Sequence, residues 1–302
     1  MSIVKSLSVG NGDMFYIQHN SNNFTIIDCS MSEENRESIV EELKSGAKGK
    51  GIVRFVSTHP DDDHICGLAY LHEQMNLLNF YSVKNSATKE DETQDFDQYC
   101  VLRDDAKKGF YLYRGCSRKW MNLGSDAQDN DKRDSAGINI VWPIMSNADY
   151  KAALQEASEG GSPNNISTIV KYRLNEGATI LWMGDLETDF MEKVEDEITM
   201  DSADILFAPH HGRDSGRVPG KWFQEMDPNL IIIGECPSEY LNYYEGYNTI
   251  TQDSAGDIIL ECVTGKVHIY VSADDYNVDF LDWEDVDDDH GGFYIGTLKT
   301  KS

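Results

Sequence analysis

Ile52-Val53-Arg54-Phe55-Val56-Ser57-Thr58-His59-Pro60-Asp61-Asp62-Asp63-His64 is the stretch from which the fold can be read. Residues 52–57 form a compact apolar run, the mark of a buried strand. Residues 59–64 then set two histidines and three aspartates side by side, and residues 65–75 carry a helical pattern. The order is strand, polar loop, helix. A packed core has no use for such a loop, because a buried carboxylate without a partner costs several kcal/mol. Clustered nitrogen and oxygen donors suit divalent cations, whose charge offsets the carboxylates. Taken alone, the same six residues also fit a solvated turn that caps a helix.

The loop does not stand alone. Leu181-Trp182-Met183-Gly184-Asp185 ends a second apolar run in an aspartate, and residues 204–209 lead into His210-His211-Gly212. Active sites of layered α/β proteins gather at strand ends, where loops present side chains and the sheet holds them rigid. Three strand-terminal polar groups in this order are what a dinuclear metal site requires.

Around these points the chain alternates strand and helix signals. Residues 3–9 and 14–18 read as strands about the turn Gly10-Asn11-Gly12-Asp13, and residues 24–28 as another. Residues 32–44 carry Ile39, Val40 and Leu43 at helical spacing, with Ser32 as the expected N-cap. Residues 138–142 form a strand, and 165–174 with 178–183 a hairpin joined by Asn175-Glu176-Gly177. A helix is expected over 187–198, and strands within 230–234 and 258–271. Residues 84–136 are polar, with an acidic cluster at 90–97 and a basic-aromatic patch at 107–120, and read as an insertion or lid. The expected division is one domain over 1–278, carrying that insertion, and an acidic C-terminal tail over 279–302.

Bulk properties narrow the function. The 302 residues carry a formal net charge of −27, with 40% hydrophobic and 10% aromatic residues. That composition supports a sizeable core. The charge repels polyanions at long range and argues against non-specific binding along duplex DNA. A small phosphorylated substrate remains compatible, because divalent metals invert the local potential. No run approaches the roughly 20 apolar residues of a membrane helix, and the first residues lack a signal-peptide pattern. Six scattered cysteines without CxxC pairs fit reduced thiols in the cytoplasm. P-loop, dinucleotide and nucleophile-elbow motifs are missing.

Thr58-His59-Pro60-Asp61-Asp62-Asp63-His64 resembles the HxHxDH signature of metallo-β-lactamase-fold hydrolases, in the HxDxDH form of ComEC-type competence proteins. Further matches follow in order. Val9-Gly10-Asn11-Gly12-Asp13 is similar to the family's VGxGD turn, Ile26-Ile27-Asp28-Cys29 to its LIDCG segment, and Asn164-Asn165-Ile166-Ser167 to its NNxS element. Leu181 through Asp185 is similar to its LLTGD, and Pro209-His210-His211-Gly212 with Ser215 to its HHGS. The resemblance runs with gaps over residues 3–270. After Glu235-Cys236 it lapses, because a tyrosine-rich stretch at 242–247 stands where the family has a GHP-like element.

The resemblance implies an αββα four-layer sandwich, an α/β architecture, with two divalent ions, Zn²⁺ or Mn²⁺. It implies His59, Asp61, Asp63, His64, Asp185 and His210 as ligands, Asp185 bridging, and Asp63 also orienting a metal-bridging hydroxide. His211, Arg213 and Asn165 are expected at the substrate. Whether His210 or His211 is the ligand stays open. Asp28 is expected to shape the site from behind the ligands, and Cys66 to be a buried thiol beside them. Asp61, standing where most relatives have histidine, hardens the site toward Mn²⁺ or Mg²⁺. The implied activity is phosphodiester hydrolysis of a nucleotide or short nucleic acid. A lactone, thioester or amide hydrolase with the same site is the alternative, as is a non-catalytic binding scaffold. The acidic surface or tail is the expected docking point for a protein partner.

Overall fold

The computed structural model describes residues 1–126, 133–174, 177–242, 244–286 and 290–301. Among these, two sheets form, one of nine strands and one of six. In the larger sheet Ser2–Ser6 is central. On one side of it lie Ile258–Val263, Lys266–Val271 and Phe293–Lys299, all antiparallel. On the other lie Phe15–Gln18 and Asn23–Ile27, and then Ile52–Val56, Phe80–Val83 and Gly109–Leu112, parallel from Asn23–Ile27 onward. In the smaller sheet Ile138–Trp142, Ile169–Arg173 and Thr179–Trp182 run antiparallel. Ile205–Phe207, Leu230–Ile233 and Thr249–Thr251 continue parallel from the last of these.

Alternation along the strands decides the layers, since successive side chains point to opposite faces. Phe15 points at the smaller sheet, its ring 4.8 Å from Phe207 and 6.1 Å from Trp182. Its neighbour Tyr16 points the other way, stacks on Phe24 at 5.4 Å and bonds Glu42 on the helix Arg36–Gly46. On the far face, Trp142 packs edge-on against Tyr150 and Phe190, from the helices Ala148–Ser158 and Thr188–Val194. The order helix, sheet, sheet, helix is therefore the four-layer sandwich that the resemblance implied.

Several local expectations are corrected. The regular helix starts at Arg36, later than expected, and Ser32 and Asn35 exchange side-chain bonds to each other's amides in the turn before it, with the Arg36 amide on the Ser32 carbonyl, as in a capping box. The helix expected after the His59–His64 loop is two pieces, Asp62–Ile65 and Leu68–Met75, separated by Gly67 at φ +84°. A left-handed residue cannot continue a right-handed helix. Within 84–136, the helix Gln94–Asp104 and the strand Gly109–Leu112 belong to the body, the strand extending the large sheet. Within 279–302, Phe293–Lys299 is the sheet's other edge. The Asn175-Glu176 part of the hairpin turn, residues 127–132 of the insertion, Tyr243, Asp287 to Asp289 and Ser302 lie outside the described residues.

The parallel strands Asn23–Ile27, Ile52–Val56, Thr179–Trp182 and Ile205–Phe207 end, respectively, just before Asp28, the 57–64 loop, Asp185 and His210-His211. These ends meet between the sheets. Thr168 donates its amide to the Thr58 carbonyl at 3.1 Å, and His210 to the Gly184 carbonyl at 2.9 Å. Gly184, at φ +53°, sits so close that an added Cβ would lie 2.9 Å from the Cβ atoms of Thr58 and Ser167.

Candidate metal centre

Asp28 is the fixed point behind the site. It is fully buried and left-handed at φ +56°. Its carboxylate accepts the Thr58 amide at 2.7 Å, the Thr58 hydroxyl at 2.6 Å and His64 Nδ1 at 2.9 Å. That bond commits His64 Nδ1 and leaves Nε2 aimed away from Asp28. His64 Nε2 lies 2.9 Å from Asp185 Oδ1 and 3.8 Å from Asp63 Oδ1. Asp28 thus stands behind His64 and holds its Nδ1.

A second pair repeats the pattern. His211 Nδ1 lies 3.0 Å from Asp13 Oδ1. His211 Nε2 then points at Asp63 Oδ2, 3.3 Å away, and at Asp185 Oδ2, 3.6 Å away. Asp13 is the residue that the sequence reading left out of the site. Its signal was the glycine turn before it, which comes against the metal loop, with the Asp13 amide donating to the Asp63 carbonyl at 3.1 Å.

Asp185 is central, with Oδ1 toward His64 and Oδ2 toward both His211 and His210. His59 is fully buried, its Nδ1 3.1 Å from the Thr58 hydroxyl and its ring 4.2 Å from that of His64. His210 has Nε2 3.6 Å from Asp185 Oδ2 and Nδ1 3.0 Å from the Ser215 hydroxyl. Asp13, His64, Asp185 and His211 each offer one ligand atom, all within 4.8 Å of one another. Bonds of about 2.0–2.2 Å put ligands on opposite sides of one ion about 4 Å apart.

Other expected site residues stand differently. Asp61 is outside this cluster, its Oδ1 bonded to Lys89 Nζ at 3.0 Å, and the same ammonium holds Asp62 at 2.6 Å. Asn165 is engaged on both amide atoms by Glu187, at 2.8 and 3.1 Å. Arg213 reaches the site's edge, with Nη1 3.5 Å from His210 Nε2 and Nη2 on Asn11. Cys66 is exposed, not buried as expected, because the chain turns outward before Gly67 and the thiol bonds the Met31 carbonyl.

No protein-family model matches the chain, and no curated protein matches it. Solved structures align with it at low identity. The metallo hydrolase Igni18 from Ignicoccus hospitalis is 13% identical, with TM-score 0.45, over 86% of this chain and 99% of that one. A long form RNase Z from yeast is 10% identical, with TM-score 0.40, over 83% and 40%. A metallo-β-lactamase of Cronobacter sakazakii with a HARLDQ motif is 14% identical, with TM-score 0.36, over 67% and 73%. At such scores the function rests on the residues of the site.

Those residues are electrostatically unbalanced without a cation. Burial opposes charging of His64, but Asp185 and Asp28 outweigh it and hold the imidazole well above its usual pKa. Burial likewise opposes charging of His211, yet Asp13 and Asp185 lift it to about 10. Burial alone would raise Asp63, but His211 and His64 bring it down to about 2. His59, pushed down by burial and by His64, stays neutral near pH 7. The surrounding carboxylates thus favour a positive charge on the His64 and His211 rings, which is the work a cation does when ligands bind metal and release protons.

A simple test of fit is whether buried donor atoms find other partners. Nε2 of His59, His64 and His211 and Oδ1 of Asp185 are buried and make no hydrogen bond among the described residues. His64 Nε2 and Asp185 Oδ1 do face each other at 2.9 Å, but outside hydrogen-bond geometry. His211 Nε2 likewise faces Asp63 within ion-pair reach, so His59 Nε2 is the atom left with neither kind of partner, at a cost of about 1–3 kcal/mol. The residues fit divalent metal.

Proposed function

We propose that this chain is a metal-dependent hydrolase of the metallo-β-lactamase fold that cleaves phosphodiesters in nucleotides or short single strands. The observation that carries the reading is the convergence of His59, His64 and His211 Nε2 with Asp185 Oδ1, all buried and without a hydrogen bond of sound geometry among the described residues. Two ions, Zn²⁺ or Mn²⁺, would be held by His59, Asp63, His64, Asp185 and His211, with His210 at the edge and Asp185 shared. Asp13 and Asp28 orient His211 and His64. In this assignment Asp61 stays with Lys89 and is not a ligand. When bound, such ions supply Lewis acidity, activating water and neutralising charge that develops on phosphate oxygens.

The chain's own groups do the rest. Asp63, ionised and partly open to solvent, accepts a hydrogen bond from the attacking water and orients its lone pair toward phosphorus. Arg213 pairs with non-bridging phosphate oxygens, for which its planar fork is suited. The reaction adds the water oxygen to phosphorus, breaks one P–O ester bond and delivers the proton to the departing oxygen. Arg213 beside His210 favours phosphate over a lactone or thioester, which calls for an apolar wall. Lys221 offers no such help, because its ammonium is held by Asp196 and the Glu195 carbonyl.

No helix among the described residues is long and apolar enough to cross a membrane. The six free thiols suit a reducing compartment, and we assign the protein to the cytoplasm.

The deciding experiment is elemental analysis of the purified protein beside Asp185→Ala, followed by bis(4-nitrophenyl) phosphate and lactone panels with the metal found. Metal near two equivalents, lost or halved in the variant, with turnover of the phosphodiester alone, is the expected result. Traces of metal in both proteins, even after incubation with Zn²⁺ and Mn²⁺, would leave a binding scaffold as the better account.

A further inference from the structure

Four residues of the stretch at which the family resemblance lapses, Asn242, Tyr244, Glu245 and Tyr247, line one side of a cavity of about 710 Å³. Arg217, Phe223, Asn242, Tyr244, Glu245 and Tyr247 line it. It adjoins the metal centre through two contacts. The Asn242 amide donates to the Gly212 carbonyl at 2.8 Å, and Leu241 bridges to Arg213. Gly212 directly follows His211, so the cavity and the centre share one turn.

Its lining is unusual for a surface groove. The Tyr247 ring packs on Phe223 at 5.0 Å yet remains 39% exposed. Tyr244 packs on Phe223 from another side at 5.1 Å. Asn242 is 9% exposed, yet its Nδ2 makes no hydrogen bond among the described residues, while the buried Tyr244 hydroxyl faces the Val218 backbone. Arg217 is exposed beside the Tyr244 hydroxyl. A buried amide left unpartnered is costly, and an open aromatic face next to it is what a planar heterocycle stacks on. Glu245 disfavours a bare anion but accepts hydrogen bonds from an exocyclic amine.

We propose that this cavity is the nucleobase subsite of the enzyme. The base stacks on Tyr247, its edge bonds Asn242 and Glu245, and Arg217 meets a phosphate between base and metals. This deepens the phosphodiesterase reading and rests on it only for the bond that is cleaved.

The test uses the protein as purified, with its metal content read first, titrated calorimetrically with AMP, CMP, GMP, UMP and ribose 5-phosphate. At least one nucleotide should bind about tenfold or more tighter than ribose 5-phosphate. Tyr247→Ala and Asn242→Ala should each remove most of that preference, and Tyr247→Phe should keep it. Tyr247 is exposed enough that its variants are expected to fold, which a thermal melt checks. Equal binding of all five ligands, or a preference untouched by both alanine variants, overturns the subsite. Turnover of bis(4-nitrophenyl) phosphate by the metal-loaded protein is read separately. Turnover without base preference therefore overturns only the subsite, and base preference without turnover overturns only the hydrolase.

Discussion

Asp28→Asn keeps size and shape but removes the charge that bonds His64 Nδ1 at 2.9 Å. Loss of such a supporting carboxylate typically weakens metal affinity by about 10–100-fold, and competition against a fluorescent chelator measures it. Unchanged affinity would show that Thr58 and packing alone orient His64. The two adjacent histidines separate by the same measurement. His211→Ala removes a buried Nε2 facing Asp63 and Asp185, whereas His210→Ala removes a ring 3.6 Å from Asp185 and partly engaged with Ser215. Metal affinity should fall further for His211→Ala. A larger loss for His210→Ala would return the ligand role to the first histidine. The residue types and their order along the chain are legible in the sequence. Which of two neighbouring imidazoles points inward was not, because both take left-handed φ, +54° and +56°, and no periodicity reports a side-chain direction there.

Where two strand ends must approach, the elements constrain single positions. Gly184→Ala puts a methyl 2.9 Å from Thr58 and Ser167 Cβ atoms at a positive φ. Strain and overpacking together should cost about 2–4 kcal/mol, read as a lower urea midpoint with an unchanged slope. A midpoint equal to wild type would mean the loops relax apart freely. At the end of Phe15–Gln18, His19 is buried, its Nε2 2.8 Å from the Thr25 hydroxyl. Burial first, and then the Arg54 and Lys50 charges, hold it well below its usual pKa of 6.5. A depressed histidine binds its proton more readily in the unfolded chain. Its contribution is therefore intact above about pH 6.5 and declines as pH falls toward the folded value. His19→Gln should flatten the stability slope between about pH 6.5 and 5, and an unaltered slope would sink the assignment. Strand and helix signals located most elements. The edge strand Phe293–Lys299 escaped because it follows an acidic run and is specified by pairing with Lys266–Val271 rather than by its own pattern.

For the whole molecule, the charge of −27 sets long-range behaviour. Self-repulsion among exposed carboxylates weakens the compact state, and salt screens it over a Debye length of about 10 Å at 0.1 M. The melting temperature should rise between low salt and about 0.3 M sodium chloride. A flat or falling curve would assign the acidic groups to compensating ion pairs instead. The same field should leave duplex DNA unbound at low salt while a short single strand with Mn²⁺ binds at the metal face.

Sequence by itself determined the strand-loop-helix logic, the alternation that builds two sheets, and the residue types gathered at strand ends. These are local properties: apolar runs, turn chemistry and the cost of burying charge act within a few residues. Tertiary structure alone decided that Asp13 supports His211, that Lys89 takes Asp61, and that Asn242, Tyr244, Glu245 and Tyr247 line a cavity beside them. Each of these joins groups far apart in the chain, and only the packing of one sheet on the other sets which of them meet.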